Sequence, residues 1–449
     1  MSAAFACVAA WPGSEGDDVF AMKVLLASWG SRGEIEPVAA VARELTYRGH
    51  DVQIAVPPDL VEFTASAGLN AVAYGPHWHP FSDAYRDYWS SFFRQPWRIP
   101  KLGRMWREVS DPLMKARPQI SDRLCALAQG ADLLLTGMNF EETAANVAEY
   151  HGIPLATLHW FPFRPNRYLM PFLPSTLGAP AMMTFEWLSY LGAKRTEDAQ
   201  RRRLGLKKVN TPWQSRIARR GSLEIQGYDE ACFSGLADEW SQWNAQRPPR
   251  RPFVGTLALE LATDSDEEVL SWIAAGAPPI FFGFGSMPLT SPADTIQMIA
   301  TTCSRLGQRA LIGTAGGDYG DLPQFEHVKV VGVVNFAAIF PVCRAVVHHG
   351  GAGTTAASLR AGVPALILSM DLNQALWGRQ MKKLGVGATR LFSNTTEESL
   401  LKDLRRILAP KYAKAARDVA SQMTKPNESA VVAADLVEEY VRAKSVGSS

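Results

Sequence analysis

The stretch from Val346 to Gly378 constrains the chain more than any other. A short apolar run, Ala345–Val347, leads into His348-His349-Gly350-Gly351-Ala352-Gly353-Thr354-Thr355. Helix-forming residues then run from Thr354 to Arg360, Gly362 ends them, and Pro364 opens a second apolar run, Ala365–Leu368. Strand, glycine loop, helix and strand in that order predict a right-handed βαβ unit, and with it a parallel sheet. Gly350, Gly351 and Gly353 let the main chain approach a ligand. Thr354 and Thr355 place hydroxyls at the helix start, where free amides and the positive dipole end favour an anion. The expectation is a diphosphate cradle with a histidine beside it. A turn that needed glycine for shape alone would not call for two histidines and two threonines as well.

A second unit of the same kind lies near the start of the chain. Val24–Ala27 reads as a buried strand, Ser28–Pro37 as a glycine loop, and Val38, Val41, Ala42 and Leu45 recur at helical spacing before Gly49 and a strand at Asp51–Val56. The loop lacks the GxGxxG spacing of a dinucleotide fold, which argues against hydride transfer. Glu34 falls in the first helical turn, on the loop that faces the crevice of such a sheet. Further strands are predicted at Ala71–Tyr74, Leu133–Thr136, Leu155–Leu158, Ser222–Gln226, Ile280–Phe284 and Val328–Val331. The fold class is therefore α/β, with two Rossmann-like halves. The expected organisation is a leader at 1–21, a domain at 22–245, a proline-rich linker Gln246–Pro252, a second domain at 253–425, and a closing helix and tail at 426–449. Met22 makes a better structural beginning than Met1. In the tail, Val432, Leu436, Val437 and Tyr440 fall on one helical face.

A length of 449 residues accommodates two or three domains, and a net charge of +2 offers no electrostatic footprint for nucleic acid. Five scattered cysteines without CxxC spacing suit a reducing compartment, and no apolar run reaches the ~20 residues of a membrane span. Asp264-Ser265-Asp266 has the look of a metal-binding pair, but acids just ahead of Val269, Leu270 and Ile273 are what a helix N-terminus wants, and no metal is expected. From His77 to Arg107 aromatic residues, among them Trp78 and Trp89, alternate with arginines and lysine. This segment is either the wall of a cleft for a large apolar substrate, with contact to a membrane surface, or a helical insertion packed on the sheet. His159-Trp160-Phe161 ends a strand on the crevice side, and Pro171–Trp187 reads as a covering loop.

The two loops together, Gly30-Ser31-Arg32-Gly33-Glu34 and His348 to Thr355, resemble those of the family 1 glycosyltransferases of the GT-B fold. The resemblance extends from Met22 to about Ala443 and is strongest toward mycobacterial enzymes of glycopeptidolipid glycosylation, with sterol and glycopeptide-antibiotic glycosyltransferases also similar. It implies two facing Rossmann-like domains, a C-terminal helix crossing back to the first, and metal-independent, inverting transfer of a hexose or deoxyhexose from a UDP- or dTDP-sugar to a hydroxyl of a hydrophobic acceptor. The nucleotide sugar is then a co-substrate and no further cofactor is expected. By motif, Glu34 stands where the family has its catalytic base, and His349 where it binds the leaving phosphate. Donor contacts are expected from Ser31, Arg32, Ser286, Val334, Asn335, His349, Gly350, Gly351, Gly353, Thr354, Asn373 and Gln374. Acceptor contacts are expected from His159, Trp160, Phe161, Trp78 and Trp89. Asn373 replaces the usual Asp, which favours a deoxy sugar over glucose. A helix start favours an ionised Glu34 by ~0.3–1 kcal/mol, so a charged, weak base is expected. A cytoplasmic protein working at the inner face of a membrane fits these expectations. A nucleotide-sugar epimerase and a catalytically silent partner protein share the architecture and remain rival readings.

Overall fold

A computed structural model describes residues 21–167, 169, 174–245, 250–285, 289, 291–315 and 323–446. The leader to residue 20, linker residues 246–249, Ser286 and the last three residues lie outside the described residues. The first sheet contains β1 (Lys23–Ala27), β2 (Asp51–Val56), β3 (Ala71–Ala73), β4 (Leu133–Thr136), β5 (Leu155–His159) and β6 (Leu223–Gln226). The second contains β7 (Ile280–Gly283), β8 (Ala310–Gly313), β9 (Val328–Val331), β10 (Ala345–His348), β11 (Ala365–Ser369) and β12 (Gly387–Leu391). Strand order is β3-β2-β1-β4-β5-β6 in one and β12-β11-β10-β7-β8-β9 in the other, all parallel. Helices cover both faces, so the inner strands bury nearly every side chain and read as unbroken apolar runs.

The strand order reverses at β1/β4 in the first sheet and at β10/β7 in the second. In open parallel sheets the crevice outside the carboxyl ends of the strands at such a switch point receives the ligand. The loops carrying Glu34 and His349 follow β1 and β10, so each leaves its sheet at the switch. The helices that matter to the site are α1 (Arg32–Tyr47), α2 (Trp78–Arg94), α3 (Ile99–Leu127), α4 (Glu141–His151), α5 (Ser175–Arg203), α6 (Asp266–Ala274), α7 (Ala352–Arg360), α8 (Leu372–Lys383) and α9 (Pro426–Val446).

Helix α9 returns to the first sheet, as expected. Ala433, Ala434, Val437, Tyr440 and Val441 enter its core, and Glu438 accepts from Arg48 and His50, both at 3.1 Å. Val432 does not join them; it is 40% exposed on the outer side of the helix.

Two expectations are corrected here. The proline-rich linker does not release the chain into the second lobe. The Gln226 amide donates to Pro252 O at 2.8 Å and the Val254 amide to Gln226 O at 3.1 Å, while Val254, Leu257 and Leu259 are buried in the first core. Proline lacks an amide donor but keeps its carbonyl, and Pro252 offers its own to Gln226, so 250–254 runs on beside β6. Pro171–Trp187 is not all loop, since α5 begins at Ser175 with Pro174 as its N-cap. Its apolar residues Leu177, Met183, Phe185 and Trp187 point outward, each more than half exposed. Among the described residues no helix is long and apolar enough to cross a membrane.

Candidate active site

Glu34 is held by the loop that precedes it. Ser31 caps α1: its Oγ accepts from the Gly33 amide at 3.2 Å, its own amide donates to Glu34 Oε2 at 2.6 Å, and its hydroxyl donates to the same oxygen. Gly30 has φ +148°, and a Cβ there would stand 2.9 Å from Oε2, so only glycine lets the loop close on the carboxylate. Burial pushes the Glu34 carboxyl up to about 7, against the Ser31 hydrogen bonds, and the charge of Asp371 adds to the rise. The expected weak, fully charged base is thereby corrected. The helix dipole is worth less than one pKa unit and burial outweighs it. A carboxyl half-protonated near pH 7 is well matched to taking a proton in the reaction.

Arg32 turns away from this cluster. Its Nε donates to Glu36 at 3.0 Å and its guanidinium lies 4.4 Å from the centre of the Phe63 ring. Nothing in that placement directs it toward a donor.

The second loop is built around His349. A Cβ at Gly285 or at Gly351 would stand 2.6 Å from its ring, so both glycines exist to make room for the imidazole. Gly350, at φ +101°, meets Ile367 and the Gln374 carbonyl, and no Cβ fits there either. Burial pulls His349 down to about 4, opposed by a hydrogen bond to the Gly283 carbonyl, so the ring is neutral at physiological pH. Its Nδ1 is buried without a hydrogen-bond partner among the described residues. His348 is fully buried, is held near 3 by burial, and accepts from the Gly350 amide at 3.1 Å through Nδ1, which makes it a structural residue. Gly351 is the N-cap of α7 and offers no side chain to the first-turn amides. Thr355 turns inward and donates to Gly351 O at 2.8 Å, whereas Gly353 is exposed and Thr354 half-buried. The uncapped first turn of α7 and the imidazole beside Gly351 thus share one helix end.

Helix α8 contributes a residue that the sequence reading passed over. Asp371 is its N-cap, accepting from the Gln374 amide at 2.9 Å and from Gln374 Nε2 at 3.0 Å. Burial raises the Asp371 carboxyl to about 6. Gln374 Oε1 also accepts from the Met370 amide at 2.7 Å, so this side chain is committed to the cap, while Asn373 is exposed. An acid three residues before a glutamine at a strand-to-helix turn is a capping signal, and it was legible. In the loop after β9, Val334 is buried and Asn335 caps the next turn, its Oδ1 accepting from Ala337 at 3.0 Å. Asp266, expected at a helix start, begins α6 and accepts from the Asn335 and Thr263 amides at 2.8 Å, so it also braces this loop.

Three of the expected acceptor residues are not at the cleft surface. His159 is fully buried, with Nε2 3.0 Å from Glu141, itself bound by Arg164 at 2.7 Å; Arg164 also pairs with Glu224. Four ionisable groups taken out of water must satisfy one another, and the imidazole is spent there. Phe161 is 4% exposed and its ring lies 6.4 Å from those of Phe233 and Trp377, an apolar contact between the lobes. Trp78 is 8% exposed and packs edge-on against Trp29 at 5.4 Å. Trp160 and Trp89 remain half-buried. Tyr85, one turn before Trp89, feels the charges of both Asp371 and Glu34, which sets α2 over the cleft between them.

Comparison with known proteins bears on the family and the fold. Residues 309–439 match the family described as erythromycin biosynthesis protein CIII-like, C-terminal domain. An uncharacterised glycosyltransferase of Mycobacterium leprae (strain TN) is 54% identical over 419 residues, covering 93% of this chain and 97% of the relative. A sterol 3-beta-glucosyltransferase of Arabidopsis thaliana is 28% identical over 435 residues, covering 92% of this chain and 67% of the plant enzyme. The spinosyn rhamnosyltransferase SpnG, solved with thymidine diphosphate, superposes with a TM-score of 0.61 at 18% identity, covering 90% of this chain and 98% of that one. The chain belongs to the glycosyltransferases of the GT-B fold.

Proposed function

We propose that the protein transfers a hexose or deoxyhexose from a dTDP- or UDP-sugar to a hydroxyl of a hydrophobic acceptor, with inversion at the anomeric carbon. The observation that carries this reading is the Glu34 carboxylate held by the Ser31 amide on the loop after β1, within the field of Asp371 from the second lobe. Glu34 takes the hydroxyl proton as the acceptor oxygen bonds to the anomeric carbon and the bond to the diphosphate breaks. The charge that develops on the leaving diphosphate meets the α7 amides, the Thr354 hydroxyl and the neutral His349 imidazole. In this reading peptide dipoles hold the leaving group, and no step is assigned to a divalent cation. The donor preference is thymidine diphosphate, the nucleotide bound in the SpnG structure. A deoxy sugar fits Asn373, which lacks a charged acceptor for a hydroxyl. The acceptor class is lipid, lipopeptide or natural product, a class that includes sterols and glycopeptidolipids, and the place of work is the inner face of a membrane.

The test is a panel of dTDP- and UDP-sugars against sterol, lipopeptide and polyketide alcohols, with wild type, Glu34→Gln and His349→Ala. Transfer by wild type and its loss in both variants is expected. Sugar epimerised or hydrolysed without transfer would point to an epimerase. No turnover with any pair would leave a silent binding protein.

A further inference from the structure

The turn joining α2 to α3 carries side chains that none of the described residues covers. Trp97 is 71% exposed, Ile99 73% and Trp106 46%. Arg94, Arg98, Lys101, Arg104 and Arg107 stand exposed among them. No carboxylate occurs between Asp87 and Glu108, so this tip holds five cations in a chain whose whole net charge is +2. Among the described residues none of the five is in an ion pair, whereas Arg86, about two turns before the first of them, pairs with both Asp83 and Asp87. Large apolar groups are unfavourable in water, and set among hydrated cations they match one surface in particular. At a bilayer interface indole rings sit at headgroup depth and guanidinium groups meet lipid phosphates. Each cation near an anionic leaflet adds to the attraction.

The tip is also connected to the cleft. From Trp106 a row of rings runs through Tyr88 at 5.0 Å, Trp89 at 5.3 Å, Tyr85 at 6.1 Å and Phe81 at 5.5 Å to Trp29 at 5.1 Å, beside the Glu34 loop. Tyr85, midway, lies in the field of Glu34 and Asp371. The row therefore begins at the exposed basic tip, passes Tyr85 in the field of Glu34 and Asp371, and ends at Trp29, buried in the first lobe just before the loop that carries Glu34.

We propose that the α2–α3 tip docks the protein on an anionic phospholipid surface and that the aromatic row of α2 leads a bilayer-resident acceptor from that surface to the cleft. The second half rests on the function proposed above; the docking does not. The experiment is co-sedimentation of the full chain with phosphatidylglycerol/phosphatidylcholine vesicles and with pure phosphatidylcholine vesicles, for wild type, Trp97→Ser/Trp106→Ser and Arg98→Glu/Arg104→Glu. All four positions are exposed, and thermal melting confirms that the variants fold. Wild type should sediment with anionic vesicles alone, and each double variant should bind them at least about tenfold more weakly. Equal binding by wild type and both variants, or none by wild type, overturns the docking. So does loss of binding in the arginine variant alone, matched by equal wild-type capture on an acidic polypeptide resin, which would make the tip a protein-binding surface. Vesicle binding with no glycosyl transfer would instead count against the proposed function and leave the docking in place. For the delivery step, the tip variants should lose transfer to a vesicle-embedded acceptor while keeping transfer to the same acceptor in detergent; equal loss in both would refute it.

Discussion

The state of Glu34 gives the account its sharpest quantitative consequence. With the carboxyl at about 7, only about 1% is ionised at pH 5, half at pH 7 and about 90% at pH 8. If the ionised form takes the acceptor proton, kcat/KM should rise about 90-fold from pH 5 to pH 8, with its inflection near 7. A glutamate at the ordinary 4.5 would already be about three-quarters ionised at pH 5, and the same interval would change the rate less than twofold. Initial rates at subsaturating donor and acceptor, in buffers of constant ionic strength, distinguish the two. Neighbours sharpen the test. Asp371 raises Glu34 by its charge and the Ser31 hydrogen bonds lower it, so Asp371→Asn should move the inflection to lower pH and Ser31→Ala to higher pH. Stability supplies an independent reading with the opposite sign. A carboxyl bound to its proton more tightly in the folded state contributes stability that is complete below pH 4.5 and is lost as pH rises through 7. Glu34→Gln should therefore be more stable than wild type at pH 8 by up to about 3 kcal/mol, and equal to it at pH 4. A flat rate profile between pH 5 and 8, or an unchanged profile in Asp371→Asn, would refute the reasoning.

Other expectations follow from single contacts. Gly351→Ala brings a Cβ to 2.6 Å from His349, so the ring must move, and the donor KM should rise about tenfold or more with little loss of melting temperature. His159→Ala should cost about 1–3 kcal/mol in denaturant unfolding by leaving Glu141 short of a partner, and the acceptor KM of the residual folded enzyme should not change. Val437→Ala, in the helix that recrosses to the first lobe, removes two buried methyl groups and should cost about 2 kcal/mol.

Strand positions were legible because buried parallel strands are contiguous apolar runs bounded by turn residues. Asp51–Val56, Leu133–Thr136 and Val328–Val331 occupy the predicted positions. The βαβ logic also located the two loops that meet the cleft, since glycine content and helix-start hydroxyls are local signals. What failed was non-local. His159 has the position of a cleft residue in the sequence, but Glu141 and Arg164, from other elements, draw it into the interior. Glu34 looked like an ordinary first-turn acid because the sequence does not show how closely Gly30 and Ser31 fold over its carboxylate or that Asp371 lies within its field. Asp371 was overlooked because motif matching drew attention to Asn373 and Gln374, although the glutamine spends its amide on the cap. Prolines at the join predicted a break that the ladder beside β6 does not show.

The most direct measurement is a diffraction structure of crystals soaked with thymidine diphosphate in the presence of a chelator. The account predicts both phosphates at the start of α7, within about 3 Å of its first amides, of the Thr354 hydroxyl and of a ring nitrogen of His349. Phosphates seated elsewhere in the cleft, or binding restored only when a divalent ion is supplied, would contradict it.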